Sequence, residues 1–303
     1  MIDLDHIQFS YTKEEVDAYM SDHNLGIEDL LLLLIERIKV KARVPVSHFQ
    51  VGAAAYTFSG KIFLGTNMEI AYSAINHTIH AEQCTLSNVF LHTEGAEREG
   101  IKILAVSEVP CGHCRQILQE VPHAGDIRII VKKAGLDAPL SQLLPFSFEL
   151  PIDGVIHHVF EQNSLVDCAS VKPQFMEVMN EVKGQLRCDE SAFDRAWALF
   201  VRSFSWYSGC PAVALFIAKD GRVAVGSMIE SSAYNPTVNP LQMALIDCHV
   251  QNIPFSDLEA LVLVEKRDCC FTYQGHLQVL CQCLPRQEDA SVKKELKTLY
   301  FAL

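Results

Sequence analysis

Residues 110–114 read Pro-Cys-Gly-His-Cys, and this stretch decides the fold around it. Two cysteines at positions i and i+3 of a first helical turn point the same way, and the N–H groups of that turn stabilise thiolates, which bind metal. Pro110 suits the start of such a helix. Upstream, residues 80–82 read His-Ala-Glu. One histidine and two cysteines give three metal ligands and leave the fourth tetrahedral position for water, as in catalytic zinc sites.

We therefore predict a catalytic zinc site formed by His80, Cys111 and Cys114, with one Zn²⁺ per chain. Glu82, two residues after the histidine, supplies a carboxylate that can carry protons to and from the water. A second arrangement remains open, in which His77 joins the three ligands and closes a structural, non-enzymatic zinc module. The closed arrangement leaves Glu82 without a role.

The sequence around both motifs resembles the catalytic domain of cytidine deaminases. The order His-x-Glu followed by Pro-Cys-x-x-Cys is the signature of zinc-dependent nucleobase deaminases. The resemblance covers Pro45 to Glu120 and is most similar to the long, homodimeric type of the family. It rests on four segments: Ser47–Ala53, Gly65–Glu69, His80–Gln83 and Pro110–Gln116.

The resemblance implies roles for several residues outside the metal site. In this family the phenylalanine at the position of Phe49 packs on the pyrimidine, and the pair at Asn67 and Glu69 holds the ribose hydroxyls. Ala81 is assigned to the same substrate site. Taken singly, Phe49 also fits a plain core position, and Asn67 and Glu69 fit a polar strand face with alternating residues.

The family also has a Leu-Pro-x-x-Phe arm that reaches the active site of the neighbouring subunit. Residues 144–148 match it, so the resemblance implies that Phe148 stacks on the base in trans. Ordinary interface packing is the other interpretation of Phe148. Arg115 has two interpretations as well: a hydrogen bond to a zinc-bound thiolate, or an exposed position on its helix.

The implied reaction is the hydrolytic deamination of cytidine and 2′-deoxycytidine to uridine and 2′-deoxyuridine plus ammonia, a step of pyrimidine salvage. Zinc-bound hydroxide attacks C4, and Glu82 shuttles the proton to ring N3 and then to the departing amine. A zinc deaminase of another aminated base or of a nucleotide is the alternative. That enzyme would need a phosphate-binding cation cluster or a basic groove, and the sequence offers neither.

The composition of the chain limits the classes of partner that we expect it to bind. The 303 residues are 49% apolar and carry a net charge of −12, whereas a protein that grips a phosphate backbone needs a basic stripe, so no nucleic-acid polymer is expected. No uninterrupted apolar window is long enough to span a membrane, and the acidic start Met1–Asp5 lacks the features of a secretory signal. We expect a cytoplasmic protein with reduced cysteines.

The second half of the chain repeats the first. Gly221–Glu230 follows the pattern of Gly60–Glu69, but Asn239–Gln242 stands where His80–Gln83 is expected, and a Cys-Cys pair replaces Cys-x-x-Cys. The second copy therefore cannot hold the same zinc site. Its retained apolar faces predict a symmetric interface and hence a homodimer.

The expected fold is α/β: a cytidine-deaminase-like mixed sheet flanked by helices, duplicated, with a degenerate second copy. Helices are predicted over Thr12–Met20 and Gly26–Val40, and the apolar pattern weakens between Leu136 and Asp189. The chain then divides into four parts, which are an N-terminal helical segment (1–44), a catalytic zinc deaminase domain (45–135), a connecting arm (136–189) and a degenerate, non-catalytic deaminase-like domain (190–303).

Overall fold

The structure is a computed structural model that describes residues 2–93, 100–161, 165–287, 290–291 and 295–303. The chain divides into two compact units. Unit 1 comprises Met1–Glu69, Thr78–Glu161 and Ser231–Pro236, and unit 2 comprises Ile70–His77, Gln162–Glu230 and Thr237–Leu303. Each unit thus includes one short loop from the other half of the sequence.

Unit 1 contains a mixed sheet with helices packed against it. The strands are β1 (Ser10–Tyr11), β2 (Gly52–Thr57), β3 (Ile62–Thr66), β4 (Ile101–Val106), β5 (Arg128–Val131) and β6 (Leu136–Pro139), and they lie in the order β1-β3-β2-β4-β5-β6. β4 and β5 run parallel, and the other neighbouring pairs run antiparallel. The helices are α1 (Lys13–His23), α2 (Ile27–Ile38), α3 (Ala81–His92), α4 (Gly112–Leu118) and α5 (Leu140–Leu143).

Local sequence explains where these helices begin. Thr12 caps α1, because its hydroxyl accepts from the Glu15 N–H while the Glu15 carboxylate accepts from the Thr12 N–H. The structure contains both helices predicted near the N-terminus, and their ends differ from the prediction by up to three residues. α4 ends at Leu118, four residues before Pro122.

A glycine sets the distance between the sheet and α3. A Cβ at Gly65 in β3 would lie 2.4 Å from the Thr85 backbone nitrogen and 2.7 Å from the Ala81 carbonyl oxygen. Only a residue without a side chain allows this approach. The contact holds the first turns of α3 against β3. The predicted metal ligand His80 immediately precedes α3.

Unit 2 repeats this plan with fewer strands. Its sheet consists of β7 (Ala212–Ala218), β8 (Val223–Gly226), β9 (Leu258–Glu265) and β10 (Lys297–Ala302) in the order β10-β9-β7-β8. β9 and β10 are parallel, as β4 and β5 are. Its helices are α6 (Cys168–Gln185), α7 (Ser191–Val201), α8 (Pro240–Val250) and α9 (Gln274–Cys283).

Matching contacts in the two units confirm the predicted duplication and the fold class. Met68 pairs with Ile79 as Ile229 pairs with Val238, in each case by two backbone hydrogen bonds just before a helix. Gly226 approaches α8 as closely as Gly65 approaches α3. The second copy has thus kept the backbone plan of the first, although its metal ligands have been replaced.

The range 136–189, interpreted as a connecting arm, contains helices that were not predicted. They are the short α5 and the 18-residue α6. The pattern of α6 is weak because Pro173 lies inside it and its buried side chains are few, namely Phe175, Met179 and Val182. Among the helices that the structure describes, none is both long and apolar enough to cross a membrane.

Candidate active site

Two helix starts meet at the candidate metal centre. His80 immediately precedes α3 and Cys111 immediately precedes α4, so both are N-cap residues. The Gln83 side chain accepts from the His80 N–H at 3.0 Å, which fixes the backbone at that ligand. Cys114 lies one turn into α4 and is buried. The three predicted ligands thus lie at the starts of two helices that meet.

The distances among the ligand atoms fit a tetrahedral zinc ion. His80 Nδ1 lies 3.4 Å from Cys111 Sγ and 3.3 Å from Cys114 Sγ, and the two sulfur atoms are 3.6 Å apart. Ordinary zinc bond lengths and tetrahedral angles require about 3.5 Å between nitrogen and sulfur and about 3.8 Å between sulfurs. Within the described residues, these three form the group of histidine, cysteine and acidic side chains that could hold a metal ion.

The electrostatics of the group favour a cation. A hydrogen bond with Cys114, and a second with His80, lower the pKa of Cys111 to about 3. The hydrogen bond with Cys111 also raises the pKa of His80, and it raises that of Cys114 together with burial. Cys111 is therefore a thiolate at neutral pH, which is the form that binds zinc.

Glu82 lies in the first turn of α3 with only 5% of its surface exposed. Burial raises the pKa of its carboxyl, which is also hydrogen-bonded to Cys114. Removal of a carboxyl from water disfavours its charged form and brings its pKa closer to neutrality. A carboxyl of this kind beside a metal centre can both accept and return a proton.

Asn67 holds the loop that carries Phe49. Its side-chain oxygen accepts from the Val51 N–H at 2.9 Å, and its Nδ2 donates to the Phe49 carbonyl at 2.8 Å. The Phe49 ring is 53% exposed. The ring is thus available as a stacking surface, and it is not the core residue that was the other interpretation.

Glu69 holds the preceding turn of the same loop. Its Oε2 accepts from the backbone N–H groups of Val46 and Ser47 at 2.9 and 3.0 Å. Burial raises the pKa of Glu69, but the hydrogen bonds from Ser47 and Val46 outweigh burial and lower it overall. Glu69 is therefore an ionised hydrogen-bond acceptor in this loop.

Two residues of α4 hold the chain at the two ends of the Leu-Pro-x-x-Phe arm, residues 144–148. Gln116 donates to the Phe148 carbonyl at 2.7 Å and accepts from the Phe148 N–H at 3.3 Å. Arg115 donates to the carbonyls of Pro110 and Leu143, both at 2.9 Å. These hydrogen bonds differ from both interpretations of Arg115, since the guanidinium binds main-chain oxygens and is only partly exposed.

The Phe148 ring is 55% exposed, although its backbone is fixed. Ser232, from the loop that unit 1 takes from the second half of the chain, donates to the Phe148 carbonyl at 2.9 Å. Its N–H and hydroxyl also bind the buried carboxylate of Glu120. Sequence reasoning missed Gln116 and Ser232, because their partners are 32 and 84 residues away.

Ala81 and His77 complete the account of the predicted residues. Ala81 is buried between the ligand His80 and Glu82 at the start of α3. His77 lies outside the metal-binding group. Its ring packs against that of His276 with centroids 3.8 Å apart and planes tilted by 34°, and its Nδ1 lies 2.7 Å from the Ser73 hydroxyl. A closed four-ligand site that includes His77 receives no support from these contacts.

An open three-ligand centre with a buried carboxyl at its edge is the arrangement of a hydrolytic zinc deaminase. Sequence models described as the "Cytidine and deoxycytidylate deaminase zinc-binding region" match residues 28–130 and 140–276. The His/Cys/Cys group and these matches confirm zinc as the cofactor.

Similar proteins agree with this class. Cytidine deaminase 1 of Arabidopsis thaliana is 30% identical, with 93% of this chain and 95% of that protein covered. Cytidine deaminase 6 of the same plant is 36% identical, with 78% and 81% covered. The chain belongs to the zinc-dependent cytidine deaminase family. The crystal structure of cytidine deaminase from Mycobacterium tuberculosis is 27% identical, covers 42% of this chain and 100% of its own, and gives a TM-score of 0.37.

Proposed function

We propose that this protein deaminates cytidine and 2′-deoxycytidine to uridine and 2′-deoxyuridine with release of ammonia, as a step of pyrimidine salvage. The observation that carries the proposal is the buried carboxyl of Glu82 beside the ligands His80, Cys111 and Cys114. A structural zinc site has no use for such a group, because burial of an ionisable carboxyl costs stability.

The chemistry follows from the positions of these groups. Zinc bound by the three ligands supplies a Lewis acid that makes water nucleophilic at neutral pH. Glu82 accepts a proton from the attacking water and delivers it to ring N3, so that C4 becomes electrophilic and the C4–O bond forms. Glu82 then takes the hydroxyl proton and gives it to the amine. The C4–N bond breaks, ammonia leaves, and the C4 carbonyl of uridine remains.

The substrate site is proposed from the loop and the arm. Phe49 packs on the pyrimidine beside Ala81, which its half-exposed ring supports. Asn67 and Glu69 bind the ribose hydroxyls. Their hydrogen bonds to the loop backbone support a site that is already formed before the substrate arrives. Phe148 stacks on the base in the partner subunit, and its exposed ring on a fixed backbone supports this role.

The assembly and location are proposed as well. We propose a homodimer, which the apolar side chains exposed on the described chain support, such as Ile75 at 91% and Phe146 at 94%. We propose a catalytic domain over 45–135, flanked by the segments 1–44 and 136–189, and a non-catalytic domain over 190–303. The net charge of −12 supports a free nucleoside as substrate in the cytoplasm, without a nucleic-acid polymer or a membrane as partner.

The test is the loss of the cytidine absorbance band on incubation with zinc-loaded protein. Glu82→Gln keeps the size of the side chain but removes the titrating group, and Glu14→Gln on the exposed face of α1 is the matched control. We expect turnover with the wild type and Glu14→Gln, none with Glu82→Gln, and equal zinc in all three. Wild-type turnover by Glu82→Gln would contradict the proposal, as would a zinc-loaded wild type that leaves cytidine and 2′-deoxycytidine unchanged.

A further inference from the structure

The loop Ile70–His77 leads from β3 towards the zinc ligand His80, yet it belongs to unit 2. Gln287 pairs with the backbone of Ala71 in both directions: it accepts from the N–H at 3.1 Å, and its Nε2 donates to the carbonyl at 2.9 Å. The neighbouring Arg286 places its guanidinium over the Tyr72 ring, 4.1 Å from the centroid. The start of the loop is thus held by the segment that follows α9.

The end of the loop is held by α8 and α9. The His77 ring packs in a tilted arrangement against the buried His276, and the His77 carbonyl accepts from Gln242 Nε2 at 3.3 Å. Only Thr78 and Ile79 separate His77 from the metal ligand. Because both ends of the loop are held, few backbone conformations are open to the short segment that connects the loop to His80.

In the internal repeat, the helix starts of unit 2 that hold His77 correspond to the helix starts of unit 1 that carry the candidate metal centre. Asn239 is the N-cap of α8, as His80 is the N-cap of α3. Its Nδ2 donates to His276 Nδ1 in α9 at 3.2 Å. This hydrogen bond joins the start of α8 to the start of α9, just as the zinc ligands join α3 to α4. The degenerate copy has thus exchanged a metal cross-link for a hydrogen bond, and it presents the His276 ring to the loop.

We propose that Gln287 is a positioning residue that acts through the loop Ile70–His77 on His80. The proposal rests on the proposed role of His80 as a zinc ligand. A loop released from Gln287 gains conformations that zinc binding must then remove, so the affinity for zinc falls while the ligand set stays the same.

The experiment compares three variants of the full chain. Gln287→Glu keeps the acceptor for the Ala71 N–H and loses the donor to the Ala71 carbonyl, whereas Gln287→Ala loses both of these hydrogen bonds to the loop. Both variants also lose the hydrogen bond from Nε2 to the Cys283 carbonyl, which lies outside the loop. Gln282→Ala on the exposed face of α9 is the control. Zinc affinity is measured by competition with a chromogenic chelator, well below the melting temperature of each protein. At about fivefold for each lost hydrogen bond to the loop, we expect about fivefold weaker binding for Gln287→Glu and about 25-fold for Gln287→Ala.

Two further readouts separate positioning from a general loss of stability. The cobalt-substituted proteins should show the same thiolate-to-metal absorption in Gln287→Ala as in the wild type, since the ligands are unchanged. Wild-type zinc affinity in Gln287→Ala would overturn the inference, whatever its melting temperature. Wild-type zinc affinity in His80→Ala would instead overturn the ligand role on which the proposed function depends.

Discussion

Replacement of Gly65 by alanine would push α3 away from β3 and so disturb the metal centre at its start. The added Cβ would lie 2.4 Å from both the backbone nitrogen and the hydroxyl of Thr85, and 2.7 Å from the Ala81 carbonyl oxygen. Because two of these atoms belong to the backbone of α3, a side-chain rotation cannot relieve the clash. The helix must move by about 1 Å to restore an ordinary contact.

This displacement of α3 determines both the expected loss of stability and the expected loss of activity. Overpacking of this kind costs about 1–3 kcal/mol, and the stiffer unfolded chain of an alanine variant returns about 0.5 kcal/mol. We expect the free energy of unfolding of Gly65→Ala to fall by about 2 kcal/mol. His80 and Glu82 move with the helix, and a 1 Å misplacement of reacting groups costs about 100-fold in rate. The kcat for cytidine should therefore fall about 100-fold.

Gly226→Ala is the matched control, because it makes the same clash in the copy that has no zinc ligands. Its Cβ would lie 2.1 Å from the Ala244 nitrogen and 2.3 Å from the Pro240 carbonyl oxygen in α8. Its free energy of unfolding should fall at least as far as that of Gly65→Ala, whereas its kcat at saturating zinc should stay near the wild-type value.

The assay pairs urea unfolding of the zinc-loaded proteins with initial rates of cytidine loss under conditions where each variant is folded. A Gly65→Ala enzyme that is destabilised but keeps wild-type kcat would refute the link between the β3 contact and the metal centre. An equal loss of kcat in both variants at saturating zinc would also refute this link, because a clash in either copy would then have the same effect.

Three further predictions concern the ligand set, the loop and the arm. Cys111→Ser replaces the thiolate by a poor zinc ligand, and atomic absorption should find well below one zinc per chain. Asn67→Leu removes the hydrogen bonds to Val51 and Phe49, so the KM for cytidine should rise about tenfold at unchanged zinc content, measured by steady-state kinetics. Gln116→Leu releases the Phe148 backbone, and the same kinetics should show a higher KM with the melting temperature lowered by only a few degrees.

The metal centre could be predicted from the sequence because its ligands lie in two motifs, His-x-Glu and Pro-Cys-x-x-Cys, whose order resembles that of zinc-dependent deaminases. Short-range rules for helix starts place each ligand at the start of its own helix, but His80 lies 31 and 34 residues from the two cysteines, so these rules do not bring α3 and α4 together. Apolar spacing also predicts α1 and α2, with ends that differ by up to three residues. The pattern around Gly65, which recurs around Gly226, indicates the duplication from the sequence alone.

Contacts between distant parts of the chain could not be predicted. The pairing of Gln287 with Ala71 joins residues 216 positions apart, and neither residue stands out in its own segment. The same holds for Ser232 and its buried partner Glu120. Helix α6 was not predicted for a different reason. A helix that contains a proline and buries few apolar side chains has almost no periodic pattern of apolar residues.

The loss of zinc from the second copy did not require the loss of its fold. Hydrogen bonds join the helices of this copy, beginning with that of Asn239 with His276. Buried Asp247 in α8 accepts two hydrogen bonds from Arg195 and one from the Val225 N–H, so α7, α8 and β8 are joined without a metal. A copy stabilised in this way need not keep an open coordination site, and its helix ends are free to hold the loop that leads to His80.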